Sequence, residues 1–188
     1  FVIGLAVSID EGVAAALQID EQCEIVAWPD DRQLMDYVTC GTGSYVRSDT
    51  SIPPSPQPRN LGVPYAARLK QVVRHAKVQA ESHVRTADSA EAVIADGRAD
   101  MVSIVRGQIA DPHLANKALT GRADEVRECI SCNQMCWGRR SRDYWISCLV
   151  NPSVGREFEW GGDTFEHSAD PRDVLIVGGG PAGLETAR

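Results

Sequence analysis

Short apolar runs alternate with amphipathic stretches along the first part of the chain. Four of these runs are predicted to be strands, at Phe1–Val7, Met35–Cys40, Ala76–Ala80 and Ala99–Val105. Between them lie three stretches of helical character, at Ile19–Leu34, Ala66–Val73 and Ser89–Ala95. Strands that alternate with helices predict an α/β fold built on a parallel sheet or a β/α barrel.

Two segments stand out from this alternation. Residues Tyr45–Pro64 contain SIPPSPQP, which predicts a long loop because proline cannot continue a helix or donate to a sheet. In a β/α barrel such loops follow the strands, on the catalytic face. After the fourth strand, Asp111 is predicted to cap a helix whose first residue is Pro112.

Four of the six cysteines lie close together in CISCNQMCWGRRSRDYWISC, at positions 129, 132, 136 and 148. Three readings of this segment compete. Disulfides suit small secreted domains, and zinc prefers two separated pairs of cysteines. Here three cysteines are grouped and the fourth, Cys148, stands apart shortly before Pro152, which favours a [4Fe–4S] cluster over zinc. Cys23 and Cys40 are each isolated on an apolar element and are predicted to be core residues.

Composition narrows the class of protein. The chain has 188 residues, of which 43% are hydrophobic, and a net charge of −7. This acidity argues against nucleic acid as a partner, and no apolar run is long enough for a membrane helix. The start, FVIGLAVS, has no basic region of the kind that opens a signal peptide, so a cytoplasmic location is predicted. In that reducing setting, clustered cysteines more often bind metal than form disulfides.

A glycine turn follows an apolar run at the end of the sequence. VLIVGGGPAG predicts a strand at Val174–Val177 and a dinucleotide-binding turn at Gly178, Gly180 and Gly183. The acidic residue that contacts the ribose is expected about 20 residues later, so the turn alone does not distinguish FAD from NAD.

A second phosphate site is predicted at the end of the fourth strand, where Arg106 is followed by Gly107. Arginine offers a forked donor to phosphate oxygens, and glycine permits close approach. The alternative is that Arg106 is a solvated loop residue. The preceding strand is followed by Glu81, Ser82 and His83, and the spacing alone favours a structural or solvent-facing His83.

Together these segments resemble the family of 2,4-dienoyl-CoA reductase and trimethylamine dehydrogenase. The family's cysteine pattern is similar to CISCNQMC followed by SCLVNP, and the start of its FAD or ADP domain is similar to VLIVGGGPAGLETAR. Its sixth barrel strand resembles DYVTCGTGS, and its last barrel strand with the phosphate loop resembles ADMVSIVRGQIADP. Members join an FMN-binding barrel of the old-yellow-enzyme type to a [4Fe–4S] segment and a dinucleotide-binding region.

The resemblance implies a division of the chain. Residues 1–128 would be the C-terminal half of a TIM (β/α)8 barrel, residues 129–155 the cluster segment, residues 156–172 a linker, and residues 173–188 the start of an FAD or NAD(P) domain. It implies Cys129, Cys132, Cys136 and Cys148 as cluster ligands. It also implies FMN contacts at Arg106, Gly107, Ser82 and His83, and FAD (or ADP) and NAD(P)H contacts at Gly178, Gly180 and Gly183.

Two positions depart from the family pattern. The family's fifth strand reads G-x-R-x-S, whereas this chain has Ala6 in place of the arginine. The family's Gly-Arg after the seventh strand is replaced by Ser82-His83. A cation near the flavin stabilises its reduced, anionic form, so these changes predict an altered potential, weaker FMN binding or a degenerate site.

The expected function is that of an iron–sulfur flavoprotein oxidoreductase. It would pass electrons among a dinucleotide-side flavin or NAD(P)H, the cluster and FMN, and would reduce an enoyl substrate or oxidatively demethylate an amine. The expected partners are a small-molecule substrate, an electron-transfer flavoprotein or NAD(P)H, and a second copy of the chain. No catalytic residue is assigned, because the family's proton donor lies earlier in the barrel. The alternatives are an electron-transfer module that has lost FMN and a zinc-stapled structural domain.

Overall fold

The computed structural model describes residues 1–161 and 168–187, and a parallel sheet is its central element. The strands are β1 (Gly4–Asp10), β2 (Tyr37–Thr42), β3 (Lys77–Ala80) and β4 (Met101–Val102). They pair in the order β1-β2-β3-β4, and each neighbouring pair is parallel. The predicted α/β class with a parallel sheet is therefore confirmed. Unlike a doubly wound sheet, this sheet shows no reversal of strand order among the described strands.

Helices connect the strands and continue beyond the sheet. They are α1 (Ile19–Asp30), α2 (Ser48–Ser51), α3 (Val63–Lys70), α4 (Ala87–Ala95), α5 (Arg106–Ala110), α6 (Leu114–Leu119), α7 (Trp137–Arg140), α8 (Glu157–Trp160) and α9 (Pro181–Ala187), with a 3-10 turn at Ala123–Glu125. In the described part of the chain, none of these helices has the length and apolar character that crossing a membrane requires.

The hydrophobic core lies between the helices and one face of the sheet. Strand side chains point alternately to opposite faces, so every second residue enters this core. The buried cluster includes Ile9, Val38, Cys40, Val78 and Ala80 from the strands and Cys23, Val26, Val63, Ala66 and Leu69 from the helices. The prediction that Cys23 and Cys40 are core residues is confirmed. The other face carries Thr39, Gln79 and Glu81, whose side chains hydrogen-bond to one another.

Helix α1 ends at Asp30, earlier than the predicted end at Leu34. The cause is local backbone geometry, because Gln33 has a φ of 53° and a residue in the left-handed region terminates a helix. The Leu34 N–H then donates to the Pro29 carbonyl at 3.0 Å, which closes the turn.

The predicted start of the next helix at Pro112 is also wrong. Helix α6 begins at Leu114, with His113 as its N-cap residue. The Asp111 carboxylate accepts the His113 N–H at 3.0 Å. Asp111 therefore stabilises the residues that precede the helix and does not cap its first turn.

The predicted strand at Val174–Val177 does not form, and these residues are irregular. A strand must pair its N–H and C=O groups with a neighbour, and β1 to β4 pair only with one another among the described strands. Helix α9 follows the glycine turn. A Cβ at Gly183 would lie 2.1 Å from the Gly178 carbonyl oxygen, so this contact requires glycine.

Candidate functional site

A cavity of about 390 Å³ lies at the carboxyl ends of β2, β3 and β4. This is the edge at which parallel α/β sheets bind ligands. Its polar lining residues include Thr42 and Ser82, the arginines Arg85, Arg106 and Arg140, and one acidic residue, Glu81. Several cations and hydroxyl donors around one cavity suit an anionic group such as a phosphate.

Arg106, predicted as a phosphate contact, lies in the wall of this cavity. Its Nη1 donates to the Pro53 carbonyl at 2.8 Å and to Asn133 Oδ1 at 2.7 Å. These two bonds fix the guanidinium in place before any ligand arrives. The neighbouring Gly107 is buried, and a Cβ there would lie 2.5 Å from Ile104 Cγ2 and 2.8 Å from the Arg85 carbonyl oxygen. Gly107 therefore serves close packing beneath the arginine.

Ser82 and His83 form the loop after β3, and both have left-handed backbones, with φ of 64° and 73°. The Thr42 N–H donates to Ser82 Oγ at 3.2 Å, and the hydroxyl oxygens of Thr42 and Ser82 lie 2.9 Å apart. The His83 ring is 5% exposed, with Nδ1 at 2.8 Å from the Pro58 carbonyl and Nε2 at 2.9 Å from Ser131 Oγ. Both residues line the cavity, but the imidazole nitrogens already have partners.

The His83 imidazole is held in its neutral form. Burial lowers its pKa, and the positive charges of Arg85, Arg106 and Arg59 lower it further, against the opposing hydrogen bond to Pro58. Since a carbonyl only accepts, the Nδ1 atom carries the proton and Nε2 accepts from the Ser131 hydroxyl. His83 thus brings no positive charge to the cavity.

Arg85 is a site residue that the sequence patterns did not identify. Its side chain is 8% exposed, and Nη1 donates to the Cys129 carbonyl at 3.1 Å and to Ser131 Oγ at 2.8 Å. Its Nη2 lies 3.4 Å from Glu128 Oε1. The buried Nε has no hydrogen-bond partner among the described residues. The only signal in the sequence is a charged residue directly after the apolar Val84.

The four clustered cysteines line a second, smaller cavity. Cys129 is buried, Cys132, Cys136 and Cys148 are half-buried, and none of them forms a disulfide. Ile109, Met135, Leu149 and Val150 supply an apolar wall, and Arg106 lines this cavity as well as the larger one. The structure therefore brings together all four predicted metal ligands and places the predicted phosphate contact beside them.

The electrostatics of this cavity reflect the nearness of the thiols. Burial raises the pKa of Cys148, and the charges of Cys129 and Cys136 raise it further, while N–H groups of Val150 and Asn151 act in the opposite direction. The Ser131 N–H donates to Cys129 Sγ at 3.4 Å. Across residues 1–161 and 168–187, no group of three or more His, Cys, Asp or Glu side chains is arranged to hold a metal ion.

Asn133, a second residue missed in the sequence, fastens the cysteine segment to the proline-rich loop at residues 52–58. This loop is shorter than predicted, because Tyr45–Pro64 also contains α2 and the first residues of α3. Its Nδ2 donates to the Ile52 carbonyl at 2.8 Å, and its Oδ1 accepts from Arg106. The Ser55 N–H donates to the Ser131 carbonyl at 3.0 Å. The sequence signal that could have identified Asn133 is its place directly after Cys132 in the cysteine pattern.

The predicted dinucleotide turn is open. A Cβ at Gly178 or Gly180 would meet no atom within 4 Å, and Gly178 has a φ of 114°. These glycines leave the backbone accessible at the start of α9, while the packing contact is made by Gly183.

Comparison with known proteins reveals extensive similarity to redox enzymes. No family model matches the chain. Cinnamate reductase of Clostridium sporogenes is 37% identical over 153 residues, which cover 81% of this chain and 22% of the reductase. A solved 2-naphthoyl-CoA reductase superposes with a TM-score of 0.87 and 27% identity, covering 99% of this chain and 28% of that one. Histamine dehydrogenase from Rhizobium sp. 4-9 superposes with a TM-score of 0.86 and 26% identity, covering 98% of this chain and 26% of that one. The chain thus spans about a quarter of the length of these proteins.

Proposed function

Because the chain belongs to the family of trimethylamine dehydrogenase and 2,4-dienoyl-CoA reductase, we propose that it is part of an iron–sulfur flavoprotein oxidoreductase. One observation carries this proposal. Four thiols line a small cavity, and Arg106 separates that cavity from a larger, cation-lined cavity at the carboxyl edge of the sheet. Two adjacent sites of this chemistry suit a metal cluster and a phosphate-bearing cofactor that exchange electrons.

The small cavity is the proposed [4Fe–4S] site, with Cys129, Cys132, Cys136 and Cys148 as ligands. Its apolar wall and the N–H groups directed at the sulfurs are features that tune cluster potentials. The grouping of three cysteines with a separate fourth favours this cluster over a single zinc ion, which prefers two separated pairs of cysteines. When bound, the cluster would supply one-electron transfer.

The larger cavity is the proposed FMN site. Arg106 would hold the phosphate, aided by the loop at Ser82 and His83 and by the close packing at Gly107. Arg85 and Arg140 also line this cavity, and their positive charges would favour an anionic occupant. When bound, FMN would supply the redox chemistry with substrate.

The fold supports the same assignment. Successive parallel strands in sequence order, with ligand-binding loops at their carboxyl ends, suit residues 1–128 as the C-terminal half of a TIM barrel. The open sheet face that carries Thr39, Gln79 and Glu81 would then be part of the barrel interior. Gly178, Gly180 and Gly183 would contact FAD (or ADP) or NAD(P)H, as the start of a further domain.

The substrate is proposed to be a small molecule. The names of cinnamate reductase and 2-naphthoyl-CoA reductase favour reduction of an enoyl-type bond, and that of histamine dehydrogenase favours oxidation of an amine. Electrons would be exchanged with NAD(P)H or an electron-transfer flavoprotein.

Metal analysis after anaerobic purification tests the proposal. We expect about four irons and four labile sulfides per chain, with the broad visible absorption of a [4Fe–4S] cluster. The C132S variant should lose this content, whereas C23A should keep it because Cys23 is a core residue. About one zinc per chain without labile sulfide would show that the segment is a zinc staple.

A second candidate is an electron-transfer module without FMN. It is favoured by Ala6, which lies exposed on β1 and offers no cation, and by the neutral His83. Release of FMN on heating the protein that contains this chain would rule out this candidate, while a cluster without any flavin would support it.

A further inference from the structure

Arg85 contacts both proposed sites. It lines the larger cavity, and its Nη1 donates to the Cys129 carbonyl and to Ser131 Oγ in the cysteine segment. Its Nη2 lies near Glu128, the residue directly before that segment. No pattern in the sequence required a cation at this point, and the proposed ligand set does not include it.

The charge of Arg85 is permanent and poorly screened. A guanidinium is not deprotonated in proteins, and this one is 8% exposed. Its acidic partner Glu128 is 41% exposed and is shared with Arg59, whose Nη2 lies 2.9 Å from Glu128 Oε1. Water screens the carboxylate more strongly than it screens the buried cation. The region around Cys129 is therefore left with a net positive field.

We propose that Arg85 has two roles. It positions Cys129, and as a buried cation it raises the reduction potential of the cluster held there. The inference rests on the proposed cluster. When an oxidised cluster accepts one electron, its negative charge increases, and a nearby positive charge then stabilises the reduced form more than the oxidised form. The hydrogen bond to the Cys129 carbonyl keeps the guanidinium at a fixed distance from that ligand.

A potentiometric titration of the purified, cluster-loaded protein tests this role. Dithionite supplies the electrons under anaerobic conditions, and electron paramagnetic resonance measures the fraction of reduced cluster. In R85Q we expect the ratio of reduced to oxidised cluster at a given potential to fall about tenfold, which is a midpoint lower by about 59 mV for one electron. The matched control is R59Q, which removes an arginine from the same carboxylate but is 59% exposed and should shift the ratio much less.

Two further variants keep the test decisive if R85Q does not retain its cluster. R85K retains a positive charge. Its midpoint potential should therefore differ less from that of the unsubstituted protein than the midpoint potential of any folded variant with a neutral residue at position 85. E128Q removes the negative charge beside Arg85 at a partly exposed position and should raise the midpoint. A midpoint in R85Q equal to that of R59Q, or a lower midpoint in E128Q, would overturn the inference.

Failure of this inference and failure of the proposed function give different results. If the parent protein contains iron and labile sulfide but the midpoints do not respond to Arg85 or Glu128, only the role of Arg85 is wrong. If the parent protein contains no labile sulfide, the cluster assignment is wrong and the role of Arg85 falls with it.

Discussion

Single buried charges fix the geometry around the two cavities. Asp111 is fully buried, and its carboxylate accepts the His113 and Arg127 N–H groups, each at 3.0 Å, and Lys117 Nζ at 2.7 Å. One side chain thus ties the start of α6 to the segment that leads into Cys129. Because both carboxylate oxygens accept from these donors, the buried charge is stable only while these partners remain.

Replacing Asp111 should therefore be costly. In D111A the Lys117 ammonium and two backbone N–H groups lose their acceptor, and we expect the free energy of unfolding to fall by about 3–5 kcal/mol. Urea denaturation followed by circular dichroism measures the loss. The control is D170A, which removes a carboxylate that is 80% exposed beside Arg172 and should leave the midpoint unchanged. Equal stability of the two variants would contradict the role given to Asp111.

The arginine shared by both cavities should control FMN binding. Loss of a charge-assisted hydrogen bond costs about 1.5–3 kcal/mol, so R106Q should bind FMN at least about tenfold more weakly than the parent. Quenching of flavin fluorescence on titration of the apoprotein measures this affinity. Arg142 is exposed in the same cysteine segment, and R142Q should bind FMN as the parent does. Unchanged affinity in R106Q would remove Arg106 from the phosphate site.

At the scale of elements, a carboxylate at the end of one helix anchors the segment that leads into a strand. Asp30, the last residue of α1, accepts N–H groups of Arg74, His75 and Ala76 at 2.6 to 3.3 Å. These residues lead into β3, so the carboxylate joins the helix layer to the sheet. Burial opposes ionisation of Asp30, but the three backbone donors and the nearby His75 bring its pKa below the usual range.

This shift predicts how stability depends on pH. A carboxyl group whose pKa is lower in the folded state stabilises the protein above its unfolded pKa, about 3.9, and loses that effect as pH falls towards the folded value. Asp100 and Asp111 have lowered pKa values as well, because hydrogen bonds and lysine charges outweigh their burial. We expect the urea midpoint to fall from about pH 5 downwards. In D30N the fall should be shallower, and an identical pH profile would contradict the assignment.

Strands and helices could be predicted from the sequence where their formation depends on the order of apolar and polar residues within the element itself. Apolar runs predicted the existence of the four strands, and helical periodicity predicted that of α1, α3 and α4. Their bounds differ, however, since α3 begins at Val63 rather than Ala66 and β4 is limited to Met101–Val102. Helix α1 was predicted four residues too long because a left-handed backbone at Gln33 leaves no mark in hydrophobicity. The strand at Val174–Val177 was predicted from its apolar residues, but strand formation depends on a partner that the pattern does not reveal.

The site was less predictable because its contacts join distant parts of the chain. The cysteine spacing indicated the ligand set, and the end of β4 indicated Arg106. The roles of Arg85 and Asn133 depend on contacts with residues 44 and 81 positions away, at Cys129 and Ile52. His83 was predicted as a cofactor contact through the family resemblance, yet its ring nitrogens are bonded to Pro58 and Ser131, which only the folded arrangement reveals.

At the scale of the whole molecule, the open edges of the sheet are the feature that most favours self-association. Among the described strands, β1 and β4 each pair on one side only. The apolar side chains of Phe1, Val2 and Ile3, which precede β1, are exposed. Unpaired strand edges beside apolar surface favour pairing with another chain.

The 188-residue chain should accordingly self-associate. Light scattering coupled to size exclusion should give a mass at least twice the 20.4 kDa of one chain, or show aggregation. Lysine substitutions at Val2 and Ile3 should reduce this association, since charge beside an edge strand opposes pairing. A monodisperse species of 20.4 kDa would contradict the expectation.

The attachment of the cysteine segment has a consequence for protein engineering. Asn133 and Ser131 bind the proline-rich loop, and Arg85 and His83 bind the segment from the loop after β3. The segment is therefore not a transferable module. A chimera that exchanges residues 129–148 between relatives would need to exchange residues 52–58 and 82–85 together with them, because the three pieces form one interlocking unit.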